Sequence, residues 1–180
     1  IILKRMNGKN TNKKYVNISG LNLRDNNRGT AALGYGSFYF LKEKGFLRPN
    51  DIIVKFKFYK NIFRHRSRTV NESTVQCDGI SFKCIAFPVF ELEKILVEKF
   101  GIVLPFTRFG KVVKKLRWVA AINGGDGFSD IYNTQTFLLR LHEMNIAMKC
   151  NVPVVILPQT IGPFKEQTNR TIADRILRYA

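Results

Sequence analysis

The feature that most constrains the fold of this chain is its alternation of short apolar segments with longer segments of helical periodicity. The apolar segments have the length and composition of buried strands, and they span residues 15–21, 51–58, 118–122 and 152–157. Helical spacing covers residues 28–44, 91–100, 136–149 and the chain from about 169, with a turn and a short helix within 103–115. Strands that alternate with helices form right-handed crossovers. The pattern predicts an α/β domain with a doubly wound, mostly parallel sheet.

Positive charge dominates the polar residues. The 180 residues include 30 Lys and Arg against 13 Asp and Glu, for a formal net charge of +17. The densest basic cluster consists of Lys55, Lys57, Lys60, Arg64, His65, Arg66 and Arg68. A field of this sign attracts anions, and both a solvated basic face and docking on an anionic membrane surface remain open. No recognised nucleic-acid-binding module accompanies the charge, so no nucleic-acid partner is expected. Residues 59–80 are predicted to be an excursion over one edge of the sheet.

The composition also bounds the class and location of the protein. Hydrophobic residues make up 45% of the chain, which is typical of a globular domain. The three cysteines lack zinc or redox spacing, and we interpret them as reduced thiols. A cytoplasmic protein is therefore expected, either free or at the inner face of the cell membrane. The chain starts at Ile1 and its last helix has no capping residue, which favours a fragment.

The first of three unusual loops spans residues 22–30, between a predicted strand and the start of a helix. Backbone N–H groups at a helix N-terminus favour an anion. Arg28 is a candidate for holding a carboxylate or phosphate by two parallel hydrogen bonds. Asn27 or Thr30 is expected to cap the helix. The competing interpretation is a capped turn with a solvent-facing arginine. The substrate-binding candidates in this loop are Asn26, Arg28 and Gly29.

The second loop spans residues 123–130 and contains three glycines and two aspartates. Glycines permit positive φ and a close approach of the backbone to a ligand. Asp126 and Asp130 are the catalytic candidates, since either carboxylate could accept a sugar hydroxyl's hydrogen bond or its proton. The competing interpretation is a tight turn with a capping aspartate. The other oxygen ligands of a calcium loop are missing, so no metal is expected. The substrate-binding candidates here are Gly124 and Gly125.

The third loop spans residues 157–164, and two prolines and a glycine restrict its path. Gln159 and Thr160 offer uncharged donors and acceptors suited to sugar hydroxyls, and Gly162 shapes the loop. A rigid connector is the competing interpretation. Ligands of doubly wound sheets bind beyond the carboxyl ends of the strands. We therefore predict that the three loops converge along one rim of the sheet.

The three loops together resemble segments of the polysaccharide pyruvyl transferase family. The most specific similarity is LPQTIGPF, residues 157–164, directly after a buried-type strand. GGDGFSDIY, residues 124–132, is similar to the family's glycine-rich segment, and NNRGTAAL, residues 26–33, resembles its N-terminal loop and helix. The order and spacing of the three segments also fit, whereas residues 59–80 match no part of the family.

The resemblance implies that residues 1–180 are the Rossmann-like N-terminal lobe of a bilobal, GT-B-like enzyme whose C-terminal lobe is absent from this chain. It implies transfer of an enolpyruvyl unit from phosphoenolpyruvate to a sugar hydroxyl of a cell-surface polysaccharide or its lipid-linked precursor. A neighbouring hydroxyl then closes a cyclic ketal, and phosphate is released. Phosphoenolpyruvate is the donor substrate, and no cofactor is implied.

In such an enzyme the arginine and histidine residues that hold the donor are implied mainly in the C-terminal lobe. The chain by itself is therefore expected to be inactive. A GT-B-like glycosyltransferase that uses a nucleotide-sugar is the alternative, although the sequence has no clear diphosphate-binding motif. A non-catalytic protein that binds anions through charge alone would not require the third loop's sequence.

Overall fold

The computed structural model describes residues 14–23, 26–60, 69–124 and 126–180. The strands are β1 (Tyr15–Ser19), β2 (Ile52–Tyr59), β3 (Asn71–Cys77), β4 (Ile80–Phe90), β5 (Leu116–Ala121) and β6 (Val154–Ile156). The helices are α1 (Arg28–Glu43), α2 (Glu91–Phe100), α3 (Arg108–Lys114), α4 (Thr134–Lys149) and α5 (Gln167–Tyr179). Each strand and helix predicted from the sequence is present, including the short helix α3.

The strands form one six-stranded sheet in the order β3-β4-β2-β1-β5-β6. β1 pairs in parallel with both β2 and β5, β2 pairs in parallel with β4, and β5 with β6. After β1 the chain builds the sheet outward through β2 and β4, and it then returns to the other side of β1 to form β5 and β6. The predicted α/β architecture with a mostly parallel sheet is confirmed. The order of the strands reverses between β1 and β5.

Helices cover both faces of the sheet. Alternate side chains of β5 point into the two apolar clusters between the sheet and these helices. Trp118 and Ala120 lie in one apolar cluster, together with Phe38 and Leu41 of α1. Val119 and Ala121 lie in the other cluster, to which α2, α3, α4 and α5 all contribute. Successive residues of a strand point to opposite faces, so a strand that is covered on both faces is mostly apolar.

The prediction that residues 59–80 form an excursion over one edge of the sheet is wrong. Residues 71–77 form β3, which pairs antiparallel with β4 and lies at the edge of the sheet. Most of β3 is exposed, so its sequence lacks the apolar alternation of a half-buried strand. The missed signal was the Asp78-Gly79 pair, which is typical of a hairpin turn and has positive φ at both residues. Residues 61–68, with most of the basic cluster, lie outside the described residues.

A buried ion pair ties the sheet together at the amino ends of its strands. Arg117 of β5 is 6% exposed, and its Nη2 donates to Oδ2 of Asp51 at 2.5 Å and also to the carbonyl of Phe46. Asp51 accepts a second hydrogen bond from the backbone N–H of Arg48. Burial raises the pKa of Asp51 and lowers the pKa of Arg117, because it disfavours each charge. The opposite charge of the partner offsets part of this desolvation cost for each member of the pair.

Replacing Asp51 by Ala leaves the guanidinium of Arg117 buried without its carboxylate. We expect the free energy of unfolding to fall by about 3 kcal/mol. Urea denaturation followed by the fluorescence of the buried Trp118 measures the change. Glu43→Ala is the matched control, because its carboxylate is half exposed in an ion pair with Lys42 and should contribute less than about 1 kcal/mol. Equal effects of the two substitutions would contradict a structural role for the buried pair.

Candidate functional site

A cleft of about 790 Å³ lies beyond the carboxyl ends of β1, β2 and β5. Its walls come from the turn after β1, the first turns of α1, the last residues of β2, the loop after β5 and one side of α4. This position coincides with the reversal of strand order between β1 and β5. Open α/β sheets bind their ligands in the crevice at such a point, because the two neighbouring loops leave in opposite directions.

The loops after β1 and β5 meet at the floor of this cleft. Gly20 has a φ of +77°, and a Cβ placed on it would lie 2.7 Å from the backbone nitrogen of Asn123. Gly124 follows with a φ of +64°, next to the side chain of Thr30 on α1. Two backbones can approach this closely only where a side chain is missing. The backbone just before the first predicted loop thus contacts the second loop, and Thr30 of the first loop lies beside Gly124.

The third predicted loop joins the second through its backbone. Phe128 and Ile161 form a parallel bridge, and the N–H of Gly162 donates to the carbonyl of Phe128 at 3.0 Å. The side chain of Gln159 also turns toward β5, where its Nε2 donates to the carbonyl of Ala121 at 3.0 Å. All three loops therefore lie along the carboxyl edge of the sheet, as the sequence predicted.

The candidates of the first loop occupy different places at the start of α1. Asn27 is the N-cap, and its Oδ1 accepts hydrogen bonds from the backbone N–H groups of Gly29 at 3.0 Å and Thr30 at 3.4 Å. Gly29 and Thr30 line the cleft, whereas Asn26 and Arg28 are exposed outside it. The cap takes up two of the N–H groups that the sequence analysis offered to an anion.

The two predicted catalytic aspartates have distinct surroundings. Asp126 lines the cleft and accepts a hydrogen bond from the hydroxyl of Tyr132 at 2.7 Å. This hydrogen bond raises the pKa of Tyr132, because it holds the phenolic proton. Asp130 is 2% exposed and does not line the cleft. Only one of the two carboxylates is thus in a position to meet a ligand of the cleft.

Asp130 instead connects the second loop to the start of α5. Its oxygens accept hydrogen bonds from Nδ2 of Asn169 at 2.8 Å and from the backbone N–H groups of Lys165 and Glu166 at 2.8 and 3.2 Å. The bond from Asn169 and the two backbone bonds hold the pKa of Asp130 below its usual range. The carboxylate is favoured by these donors, and it fastens the loop that carries Asp126.

The candidates of the third loop do not line the cleft. Thr160 is exposed, and Gly162 is buried with a φ of +77°. Oε1 of Gln159 is buried and has no hydrogen-bond partner among the described residues. Gly125 lies outside the residues that the structure describes. The third loop therefore contacts and stabilises the second loop, and its polar groups do not line the cleft.

The structure adds charged residues that the sequence analysis missed. Arg140 and Glu143 of α4 line the cleft, as does Lys55 of β2, whose Nζ donates to the carbonyl of Leu21 at 2.8 Å. Nη1 of Arg140 is buried and has no hydrogen-bond partner in the described parts of the chain, and its guanidinium lies 5.5 Å from the ring centre of Tyr132. For Arg140 and Glu143, the signal available in the sequence was a pair of charged residues, three positions apart, beside the apolar face of α4.

Behind these residues, a buried amide links β1, β2 and α4. Asn17 is fully buried in β1, and its Nδ2 donates to the carbonyl of Val54 and to Oε1 of Glu143, both at 2.9 Å. The same oxygen of Glu143 accepts from the backbone N–H of Phe56 at 3.2 Å. A polar residue inside an otherwise apolar strand was the sequence signal for this contact. The network orients the α4 face that carries Arg140.

The charges of the cleft determine which chemistry it can support. Among residues 14–23, 26–60, 69–124 and 126–180, no group of three or more His, Cys, Asp or Glu side chains is placed to hold a metal ion. The lining combines two cations, Lys55 and Arg140, with the carboxylates of Asp126 and Glu143. Such a site can bind an anion and accept a proton.

No helix in the described ranges is long and apolar enough to cross a bilayer.

The role of Asp130 predicts a specific pH dependence of stability. A carboxyl whose pKa is lowered on folding stabilises the protein fully above its unfolded-state pKa of about 3.9, and this contribution is lost as the pH falls through the folded-state value. Asp130→Asn should therefore lower the melting temperature at neutral pH. It should also reduce the further loss of melting temperature between about pH 5 and pH 3.

Thermal denaturation across this pH range checks the prediction. Asp174→Asn is the control, because Asp174 is exposed on α5 and should leave the acid limb of the profile unchanged. If the melting temperature of Asp130→Asn fell between about pH 5 and pH 3 as steeply as that of the wild type, the three hydrogen bonds would not depend on the ionised carboxylate.

Comparison with known families assigns most of the chain to one family. The family model described as polysaccharide pyruvyl transferase matches residues 27–180. The matched region begins at the N-cap of α1 and includes Asp126 and Arg140. Neither curated proteins nor solved structures gave a significant match. The family match covers most of the 180 residues, and the chain therefore belongs to the polysaccharide pyruvyl transferase family.

Proposed function

We propose that this chain forms one side of the active site of an enzyme that uses phosphoenolpyruvate to place a pyruvate ketal on a polysaccharide or its lipid-linked precursor, and that it supplies the acceptor's base and part of the donor site. Family membership supports a role in polysaccharide pyruvyl transfer. The observation that carries the proposal is the unpartnered Nη1 of Arg140 in a cleft that Asp126 also lines. A buried guanidinium donor without a partner favours an anionic ligand such as a carboxylate or phosphate.

The proposed reaction needs two sugar hydroxyls and one phosphoenolpyruvate. The first hydroxyl oxygen bonds to C2 of phosphoenolpyruvate while the methylene carbon takes up a proton and becomes a methyl group. The hydroxyl proton passes to a base. The second hydroxyl then bonds to the same carbon, the C2–O bond to phosphate breaks, and inorganic phosphate leaves with that bond's electrons. The products are a cyclic ketal and inorganic phosphate. Of the two hydroxyl protons released, one replaces the proton taken up by the methylene carbon, and the other passes to the departing phosphate.

Each charged residue of the cleft has a role in this scheme. Asp126 is the base that receives a hydroxyl proton, and the hydrogen bond from Tyr132 orients its carboxylate. Arg140 holds a carboxylate or phosphate oxygen of the donor. Lys55 also lines the cleft and adds positive potential, which stabilises the charge that develops as phosphate leaves. Asp130 is a positioning residue, because it anchors the loop of Asp126 through α5.

The same proposal includes a second lobe. A single Rossmann-like lobe bounds a cleft at the carboxyl edge of its sheet from one side only, and a GT-B-like partner lobe facing that edge would close the other side. The arginine and histidine residues that complete the donor site would lie there. The assays below therefore use the full-length protein, with binding measured separately from turnover.

Replacing Arg140 by Ala is expected to weaken phosphoenolpyruvate binding roughly 10- to 100-fold, because a hydrogen bond to a charged group contributes roughly 1.5–3 kcal/mol. Isothermal titration measures the affinity, and Arg140→Lys should retain part of it. Arg175→Ala is the matched control, since Arg175 is exposed on α5 outside the cleft. An unchanged affinity in Arg140→Ala would contradict the donor role. Tighter binding of a nucleoside diphosphate than of phosphoenolpyruvate would favour a nucleotide-sugar glycosyltransferase instead.

Replacing Asp126 by Asn is expected to lower phosphate release from phosphoenolpyruvate and acceptor glycan by roughly 10²- to 10⁴-fold, because the base is lost. Binding of phosphoenolpyruvate should change little, since the carboxylate acts on the acceptor. Phosphate release under saturating donor measures the rate. Asp174→Asn should keep the wild-type rate. Full turnover in a folded Asp126→Asn protein would remove Asp126 from the mechanism.

A further inference from the structure

The edge of the sheet opposite the cleft carries an exposed patch that is both apolar and basic. Its apolar members, Phe100, Ile102 and Phe106, are 67%, 49% and 73% exposed. Its basic members are all exposed and comprise Lys99, Arg108, Lys111, Lys114 and Lys115. Residues 99–115 contain no Asp or Glu. We call this surface the basic aromatic patch.

The fold of α3 separates a buried apolar side from an exposed cationic side. Phe109, Val112 and Val113 lie in the core, between 2% and 3% exposed. The intervening positions 108, 111, 114 and 115 carry the cations and face solvent. The aromatic side chains exposed beside these cations do not belong to the core, to which α3 contributes the residues of its other side.

The loop that presents Phe106 is tightly folded. A Cβ placed on Gly110 would lie 1.9 Å from the carbonyl oxygen of Leu104, so the loop passes directly against α3. The hydroxyl of Thr107 donates to that carbonyl at 3.1 Å and accepts from the N–H of Gly110 at 3.0 Å. A preorganised loop loses little conformational freedom when its exposed side chains are buried by a partner.

The patch lies at the amino ends of the strands. α2 ends at Phe100, and α3 leads into the start of β5, where the carbonyl of Lys115 accepts from the N–H of Tyr15. The cleft lies at the other end of the same strands. A surface bound to the patch therefore leaves the mouth of the cleft free for substrates.

We propose that the basic aromatic patch is a peripheral docking surface for an anionic lipid bilayer. Exposed Phe and Ile side chains enter the interface between headgroups and acyl chains, and the surrounding cations bind lipid phosphates. The complete lack of acidic residues in the patch matches a uniformly negative surface better than a protein surface of mixed charge. The inference is independent of the proposed function, because no step of it involves phosphoenolpyruvate.

Vesicle co-sedimentation without phosphoenolpyruvate or glycan tests the proposal on the full-length protein. Vesicles of phosphatidylcholine with phosphatidylglycerol should bind the protein more tightly than vesicles of phosphatidylcholine alone. Lys111→Gln with Lys114→Gln should weaken binding about 25-fold, since each basic residue near the surface contributes about 1 kcal/mol. Phe100→Ser with Phe106→Ser should weaken it roughly tenfold or more.

Matched variants distinguish the patch from the general positive charge of the chain. Lys57→Gln with Lys60→Gln removes the same charge at the other end of the strands, and Tyr35→Ser with Tyr39→Ser removes two aromatics that are each 51% exposed on α1. Both controls should bind vesicles within about twofold of the wild type, since neither pair lies in the patch. Equal losses in patch and control variants would overturn the proposal.

Insertion has its own readout, which does not depend on the stability of the double variants. Phe106→Trp should be quenched by lipids brominated on their acyl chains, whereas the buried Trp118 should not be quenched in the wild type. An unquenched Trp at position 106 on bound vesicles would overturn insertion. A dimer in the absence of lipid that Phe100→Ser with Phe106→Ser dissociates would assign the patch to an interface between two copies instead.

Discussion

The contact between the backbone at Gly20 and the backbone at Asn123 is the constraint on which the rest of the site depends. It exists because β1 pairs in parallel with β5, so that both strands end at the same edge. The absence of a side chain at Gly20 lets the two turns touch, and this brings Gly124 against the first turn of α1. A larger residue there would separate the loops and open the floor of the cleft. The position of Asp126 follows from this contact.

Buried polar side chains behind the cleft fix the orientation of the elements that form it. Asn17 and Glu143 share a hydrogen bond across β1 and α4, and a buried amide or carboxylate without a partner is costly. These partners therefore restrict how α4 can rotate against the sheet. The orientation of Arg140, one turn earlier on the same helix, depends on that restriction. Asp130 does the same for the loop of Asp126, which it links to α5.

Buried polar donors without a partner occur at both edges of the sheet. At the amino edge, Nη2 of Arg117 is paired with Asp51, while its Nε and Nη1 have no hydrogen-bond partner among the described residues. At the carboxyl edge, Nη1 of Arg140 and Nδ2 of Asn123 are buried with no hydrogen-bond partner in the described ranges. Unsatisfied buried donors are rare in native proteins, and each one needs an explanation. Arg140 differs from Arg117 because it lines the cleft, where a bound anion would supply the missing partner.

The sequence by itself determined the α/β class, most of the helices and strands, and the convergence of three loops at one edge. These follow from local periodicity and from the rule that parallel strands end together. It also indicated the family through the segments around residues 26–33, 124–132 and 157–164. It indicated neither β3 nor β4, and β3 has no apolar alternation because it is an exposed edge strand.

Only the tertiary structure decided which polar side chains share the cleft. Asp126 and Asp130 are four residues apart and look equivalent in the sequence, yet one lines the cleft and the other is buried against α5. Arg140 and Lys55 belong to a helix and a strand far apart in the chain, and packing alone brings them to one cavity. Local patterns record the direction and period of an element, whereas the neighbours of a side chain depend on long-range contacts.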